Sequence, residues 1–282
     1  MYKISCFADE ISPRLDQQLD EMEKLNVKWM SLRSVDDVNV LQLSDARVDE
    51  IAHALKERGM GVSSIGSPIG KTQIADKSNL YIEQTRRAIE IAKRLECNRI
   101  RIFSFYMDKD EIDARRGEVI DRIKRMSELA AREGITLMHE NEAGIYGESS
   151  ARCRDLLESV NMPNFKAVYD PSNFVGAGEA PLDESLPNIR EYVDYLHLKD
   201  SRKTDNVIVP CGEGDAQIAD ILPLFADGDY FLTLEPHLVL FASLQSLETE
   251  DAANIIKKNK AKDGAEGYAM QYHALREILD AI

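Results

Sequence analysis

Short β-rich runs alternate with longer stretches of helical hydrophobic period along this chain, eight times over. The runs predict strands over 3–7, 27–33, 61–66, 99–103, 136–140, 167–170, 195–199 and 231–235. Between and after them the period predicts helices over 13–25, 44–58, 80–95, 111–133, 150–159, 183–192, 217–225 and 267–279. Gly59 and Gly61 stop the second helix and Gly134 the fourth. Such alternation argues for a parallel sheet with helices outside it. No GxGxxG follows the first strand, so an open dinucleotide-binding sheet lacks its phosphate turn. Closing the sheet also removes both of its edges. The expected fold is therefore one (β/α)8 barrel domain over residues 1–282, with no linker or composition break to mark a second.

Parity within the strands says where chemistry can lie. In the run 195–199, Leu196 and Leu198 point one way and His197 and Lys199 the other. In 231–235 the leucines again share a face, opposite Glu235. The leucine face packs under the helices, and the other lines the barrel and opens at its C-terminal mouth, where this fold keeps its catalytic groups. Four successive strands end in a metal-binding type of side chain: Glu140, Asp170, His197 and Glu235. Three carboxylates and an imidazole brought to one point repel unless a cation joins them. Oxygen-rich ligands with one nitrogen favour one divalent ion, Mn²⁺ or Mg²⁺, with Co²⁺ and Zn²⁺ as alternatives.

Composition narrows the ligand classes. The net charge of −15 and pI near 4.9 oppose a nucleic-acid partner. No apolar run approaches a membrane span. A strand starting at Lys3 leaves no room for a signal peptide. Cys6, Cys97, Cys153 and Cys211 lack CxxC spacing, which fits reduced thiols and a cytoplasmic location.

The chain resembles the xylose-isomerase-like TIM barrels, which include sugar phosphate isomerases/epimerases and ketose 3-epimerases. The resemblance covers nearly the whole chain and is strongest over 139–237. The family's Glu, Asp, His and Glu ligands fall on Glu140, Asp170, His197 and Glu235. The stretch from His197 to Asp200, followed by 210–215, looks like its HxKD…GxG segment. Two positions depart from it: Asn173 and Glu142 stand where many members carry histidine. The resemblance implies a small-molecule carbohydrate substrate and proton transfer through a metal-stabilised enediolate. It also implies that Glu140 and Glu235 do acid/base work while ligating the ion.

Other mouth residues are expected to bind substrate: Arg33, Asn173, Lys199, Glu213 and His237. Arg33 can instead form an internal salt bridge, and Lys199 can pair with Glu213. Ser64, Gly66 and Ser67 are candidates for a polar wall. His139 reads as structural, Trp29 as core, and His53 and His273 as helical residues without a role. The segment 236–264 reads as a solvated loop or helix in preference to a lid. A lyase on the same scaffold, of inosose or dehydroshikimate dehydratase type, is the alternative activity, and a non-catalytic sugar-binding barrel a further one. An apurinic-endonuclease-like phosphodiesterase needs a histidine-rich site that five histidines do not furnish. Exposed barrel helices leave a homo-oligomer open.

Overall fold

The computed structural model describes residues 2–239 and 261–282. Eight parallel strands close into a barrel: β1 (Lys3–Cys6), β2 (Trp29–Leu32), β3 (Gly61–Ile65), β4 (Arg99–Ile102), β5 (Thr136–Glu140), β6 (Phe165–Tyr169), β7 (Val193–Leu198) and β8 (Phe231–Leu234). Closure comes from β1, which pairs β8 from Lys3↔Phe231 to Cys6↔Leu234 and pairs β2 at Ser5↔Trp29.

The outer layer holds α1 (Leu15–Lys24), α2 (Asp45–Glu57), α3 (Leu80–Arg94), α4 (Ile112–Arg132), α5 (Ser150–Val160), α6 (Pro171–Gly176), α7 (Leu186–Ile189), α8 (Ile218–Ile221) and α9 (Gly264–Ala281). The first five follow the predicted periodicity closely. The run read as one helix over 183–192 does not form one. It splits into a π turn (Pro181–Ser185), α7 and a 3-10 turn (Arg190–Tyr192). Pro187 has no N–H to give to the preceding turn, so the regular ladder cannot run through it. The run 217–225 likewise becomes α8 and a 3-10 turn containing Pro223. The short helix α6 had no periodic signal; Pro171 opens it and the Asp170 carboxylate caps it.

Two apolar layers separate as strand parity predicts. Leu196, Leu198, Leu232 and Leu234 belong to the large core between barrel and helices. Met138, Val168, Tyr195 and Phe231 form a small cluster inside the barrel, with the half-buried Trp29 against it. Above that plug lies a hydroxyl layer. Tyr195 Oη meets Ser63 Oγ at 2.7 Å and accepts from Thr233 Oγ1 at 2.6 Å, and Ser31 and Ser64 bond each other at 2.7 Å. The barrel is thus filled from below, and among the described residues its fully buried charged side chains gather at the C-terminal end, while Lys3 and Arg99 lie over Phe231 at the other. No described helix is long and apolar enough to cross a membrane.

The last helix reaches back to the mouth. Gln271 on α9 is fully buried, donating to Leu198 O at 2.9 Å and accepting from Cys211 N at 3.1 Å. A Cβ on Gly264 would stand 2.2 Å from Glu10 O, so only glycine lets α9 start against the loop after β1. Of the segment 236–264, residues 240–260 lie outside the described residues.

Candidate active site

Glu140, Asp170, His197 and Glu235 each offer a ligand atom, and these atoms lie within 4.8 Å of one another. All four are buried, at the ends of β5 to β8. His197 is central: its Nδ1 stands 2.8 Å from Glu140 Oε1 and 3.3 Å from Glu235 Oε2. Such spacings suit atoms sharing an ion, because two ligands about 2.1 Å from a metal at right angles lie roughly 3 Å apart. Asp170 divides its oxygens: Oδ1 accepts Asn173 N–H at 2.9 Å to cap α6, and Oδ2 faces the cluster. Asp170 Oδ2 and Glu235 Oε2 accept no hydrogen bond among the described residues, and each has an ionic contact, at 3.4 and 3.3 Å. Buried acceptors left in this way fit a cation.

The fields in the cluster point the same way. Burial pushes the Asp170 carboxyl up to about 6, helped by Glu235 and Glu140 against the pull of Lys199. Burial opposes charge on Glu140 too, but His197 and Arg101 outweigh it and hold the carboxyl at about 2. For His197 burial disfavours the cation, yet Glu140 and Glu235 raise its pKa to about 9. Glu235 is held well below the carboxylate range against its own burial, chiefly by Lys199 and His197.

Around these four lies a shell of ion pairs, of which the Arg33 salt bridge was expected from the sequence. Arg33 donates to Asp9 at 2.8 Å, Glu10 at 3.0 Å and Glu235 at 3.1 Å. Of its two expected roles the geometry gives the internal salt bridge. Arg101, on the inward face of β4, donates to Glu140 Oε2 at 3.1 Å and to the carbonyls of Gly66 and Ser67. The rings of Phe7 and His197 meet edge-on at 5.0 Å, and both guanidinium groups lie over Phe7. His237 has a left-handed backbone, φ 47°, which lets its N–H reach Glu10 Oε2 at 2.7 Å while its Nε2 lies 3.3 Å from Glu235 Oε1. A backbone so placed is costly for a non-glycine residue and tends to mark functional sites.

The remaining candidates divide. Lys199 lies 3.4 Å from Asp170 Oδ2. Glu142 pairs with Lys71 at 2.9 Å. Asn173 donates its amide to Asn141 O at 2.8 Å, and Asn141 in turn clasps the Asp170 backbone from both sides. Glu213 is exposed, on a turn outside the buried set. Of the residues expected in a polar wall, Gly66 and Ser67 turn their carbonyls to Arg101. Ser64 sits in the hydroxyl layer, Ser67 Oγ donates to Arg101 O at 2.5 Å, and a Cβ on Gly66 would meet Phe7 at 2.7 Å. His139 bonds Ser104 Oγ at 2.9 Å behind β5, and burial takes its pKa down to about 4, as a structural residue requires. His53 and His273 are exposed on helices.

Asp200 explains the segment after His197. Its carboxylate accepts four backbone N–H groups, from Ser201, Gly212, Gly214 and Ala216, at 2.8 to 3.1 Å. A Cβ on Gly214 would stand 2.2 Å from Asp200 Oδ1. The motif is therefore a loop anchor beside the site.

The family model for xylose isomerase-like TIM barrels matches residues 19–279. A 3-dehydroshikimate dehydratase of Bacillus anthracis is 23% identical over 201 residues, 65% of this chain and 71% of that protein. Among solved structures, a probable 3-dehydroshikimate dehydratase of Bacillus anthracis superposes with a TM-score of 0.73 at 18% identity, covering 98% of this chain and 99% of that one. An L-ribulose 3-epimerase gives 0.73 at 15% identity over 100% and 95%. The IolI protein, solved with a bound zinc atom, gives 0.72 at 15% over 99% and 98%.

Proposed function

Because the chain belongs to the xylose isomerase-like TIM barrels, we propose that it is an enzyme that holds one divalent ion with Glu140, Asp170, His197 and Glu235. Its reaction in this reading moves a proton on a carbon beside a carbonyl of a small polyhydroxylated substrate, as an isomerase or epimerase. The observation that carries the reading is the convergence of these four side chains within 4.8 Å at a buried mouth. The bound ion would supply Lewis-acid stabilisation of charge developing on the substrate oxygens.

The residues themselves set up the proton transfer. Glu140 and Glu235 each give one oxygen to the His197 side and the other to an arginine, Arg101 or Arg33. Both stay ionised, able to accept a proton, and their rotamers are fixed from two directions. Lys199, His237 and the Asn141–Asn173 pair line the mouth around them and are proposed to orient substrate oxygens, with Glu213 farther out at the exposed turn.

A dehydratase is the second reading, supported by the sequence similarity to a 3-dehydroshikimate dehydratase. Elimination starts with the same proton removal and then expels a hydroxyl group as water. Product analysis separates the two. The metal-loaded protein is incubated in heavy water with ketoses, aldoses, inososes and dehydroshikimate. An epimer or isomer bearing deuterium supports the first reading, and an unsaturated product the second. No exchange and no product with any member would contradict both.

A further inference from the structure

The opposite end of the barrel carries a cavity that the proposed chemistry does not use. Its volume is about 540 Å³, and it lies where β2 and β3 begin, between the C-terminal ends of α2 and α3. Leu55, Met60, Val62 and Leu95 give it a buried apolar lining, with the half-buried Trp29 among them. A Cβ on Gly61 would stand 2.7 Å from the Trp29 indole, so glycine at the start of β3 lets that ring lie across the strand. Phe231 meets the indole edge-on at 5.3 Å, and no cation among the described residues lies over it.

The charged groups of the lining differ in their partners. Arg94 is held by Asp49 at 2.9 Å and Asp45 at 2.6 Å, and His53 faces Glu57 at 3.3 Å. The ammonium groups of Lys28 and Lys56 have no ion-pair or hydrogen-bond partner among the described residues, and the lining holds one carboxylate, Glu96. Nor do the lysines cap the helix ends. The carbonyls of Leu55 and Lys56 on α2, and of Ile91, Ala92 and Lys93 on α3, accept backbone N–H groups from the turns that follow.

In a chain of net charge −15, two unpaired lysines beside one carboxylate make a local positive spot. An apolar cavity with an aromatic wall and a cationic edge suits a ligand with a flat apolar body and a negative end. A neutral apolar ligand leaves the ammonium groups without a counter-charge, and a cation is repelled by them.

We propose that this cavity is a second binding site, remote from the mouth, for a small aromatic carboxylate, with its ring against Trp29 and its carboxylate at Lys28 and Lys56. The site stands apart from whatever reaction the mouth performs.

Trp29 is the only tryptophan of the chain, so its fluorescence reads this cavity alone. The full-length protein is titrated with phenylacetate, phenylacetamide and phenethylamine. Phenylacetate should shift the emission to the blue and shield the indole from acrylamide. It should bind about fivefold or more tightly than phenylacetamide, with the preference falling as salt rises. Lys28→Gln combined with Lys56→Gln should remove the preference. The matching double Arg variant should retain it, which separates lost charge from a disturbed fold. Equal binding of the acid and the amide, tighter binding of phenethylamine, an emission that phenylacetate leaves unchanged, or an undiminished preference in the double Gln variant overturns the inference. Emission that changes with protein concentration before any probe is added would put a second copy of the chain over Trp29, and overturns it as well.

Discussion

Glu140 and Glu235 occupy equivalent places, each with one oxygen toward His197 and one on an arginine. Replacing either by Gln keeps the size and an oxygen ligand but removes the base. Turnover should fall by about 10²-fold or more, with loss of solvent deuterium exchange at the substrate carbon. Wild-type exchange in both variants would shift the base role to Lys199 or His237. Arg33 makes a different prediction. It is 2% exposed and answers three carboxylates, so Arg33→Met leaves buried charge unpaired. Stability in a urea titration should drop by about 3–5 kcal/mol, and a change below about 1 kcal/mol would refute the account of its role. The four clustered residues were legible because each ends a β-rich run, with plain alternation in 195–199 and 231–235. Arg101 was legible in principle, since Arg99-Ile100-Arg101-Ile102 alternates and places it inward. Glu10, Lys71 and Asn141 follow no period; only the folded loops bring them to the mouth.

Among the elements, the turn after β7 is the clearest case of a motif whose physical reason is hidden in sequence. In the sequence Asp200 stands only as the last residue of the HxKD resemblance, and its carboxylate is spent on four backbone N–H groups. Asp200→Ala strands those donors and should cost roughly 3 kcal/mol or more. Gly214→Ala, which drives a Cβ into the same carboxylate, should lower the melting temperature in the same direction. If neither variant moves the denaturation midpoint, the anchor role is wrong. Helix prediction succeeded where amphipathic stretches are long, as in α3 and α4. It failed between residues 181 and 225, where Pro181, Pro187 and Pro223 leave one- and two-turn pieces that periodicity cannot tell from a continuous helix, and it held again for α9.

At the scale of the whole molecule, a layered barrel sets the chemistry. An aromatic plug, a hydroxyl layer and a charged mouth follow one another along the strands, and parity alone distinguishes the inner from the outer leucine face. The charged mouth gathers carboxylates at a stability cost that the proposed cation would offset. Adding the ion at about a hundred times its dissociation constant should stabilise the fold by roughly 2.7 kcal/mol. In a melting scan that is a rise of about 5–10 °C, reversed by chelator. The measurement that bears most directly on the central claim is metal stoichiometry by equilibrium dialysis, wild type against Asp170→Ala and His197→Ala. The account predicts one divalent ion per chain, with affinity at least tenfold weaker in each variant. No bound ion in the wild type, or undiminished affinity in both variants, would contradict it.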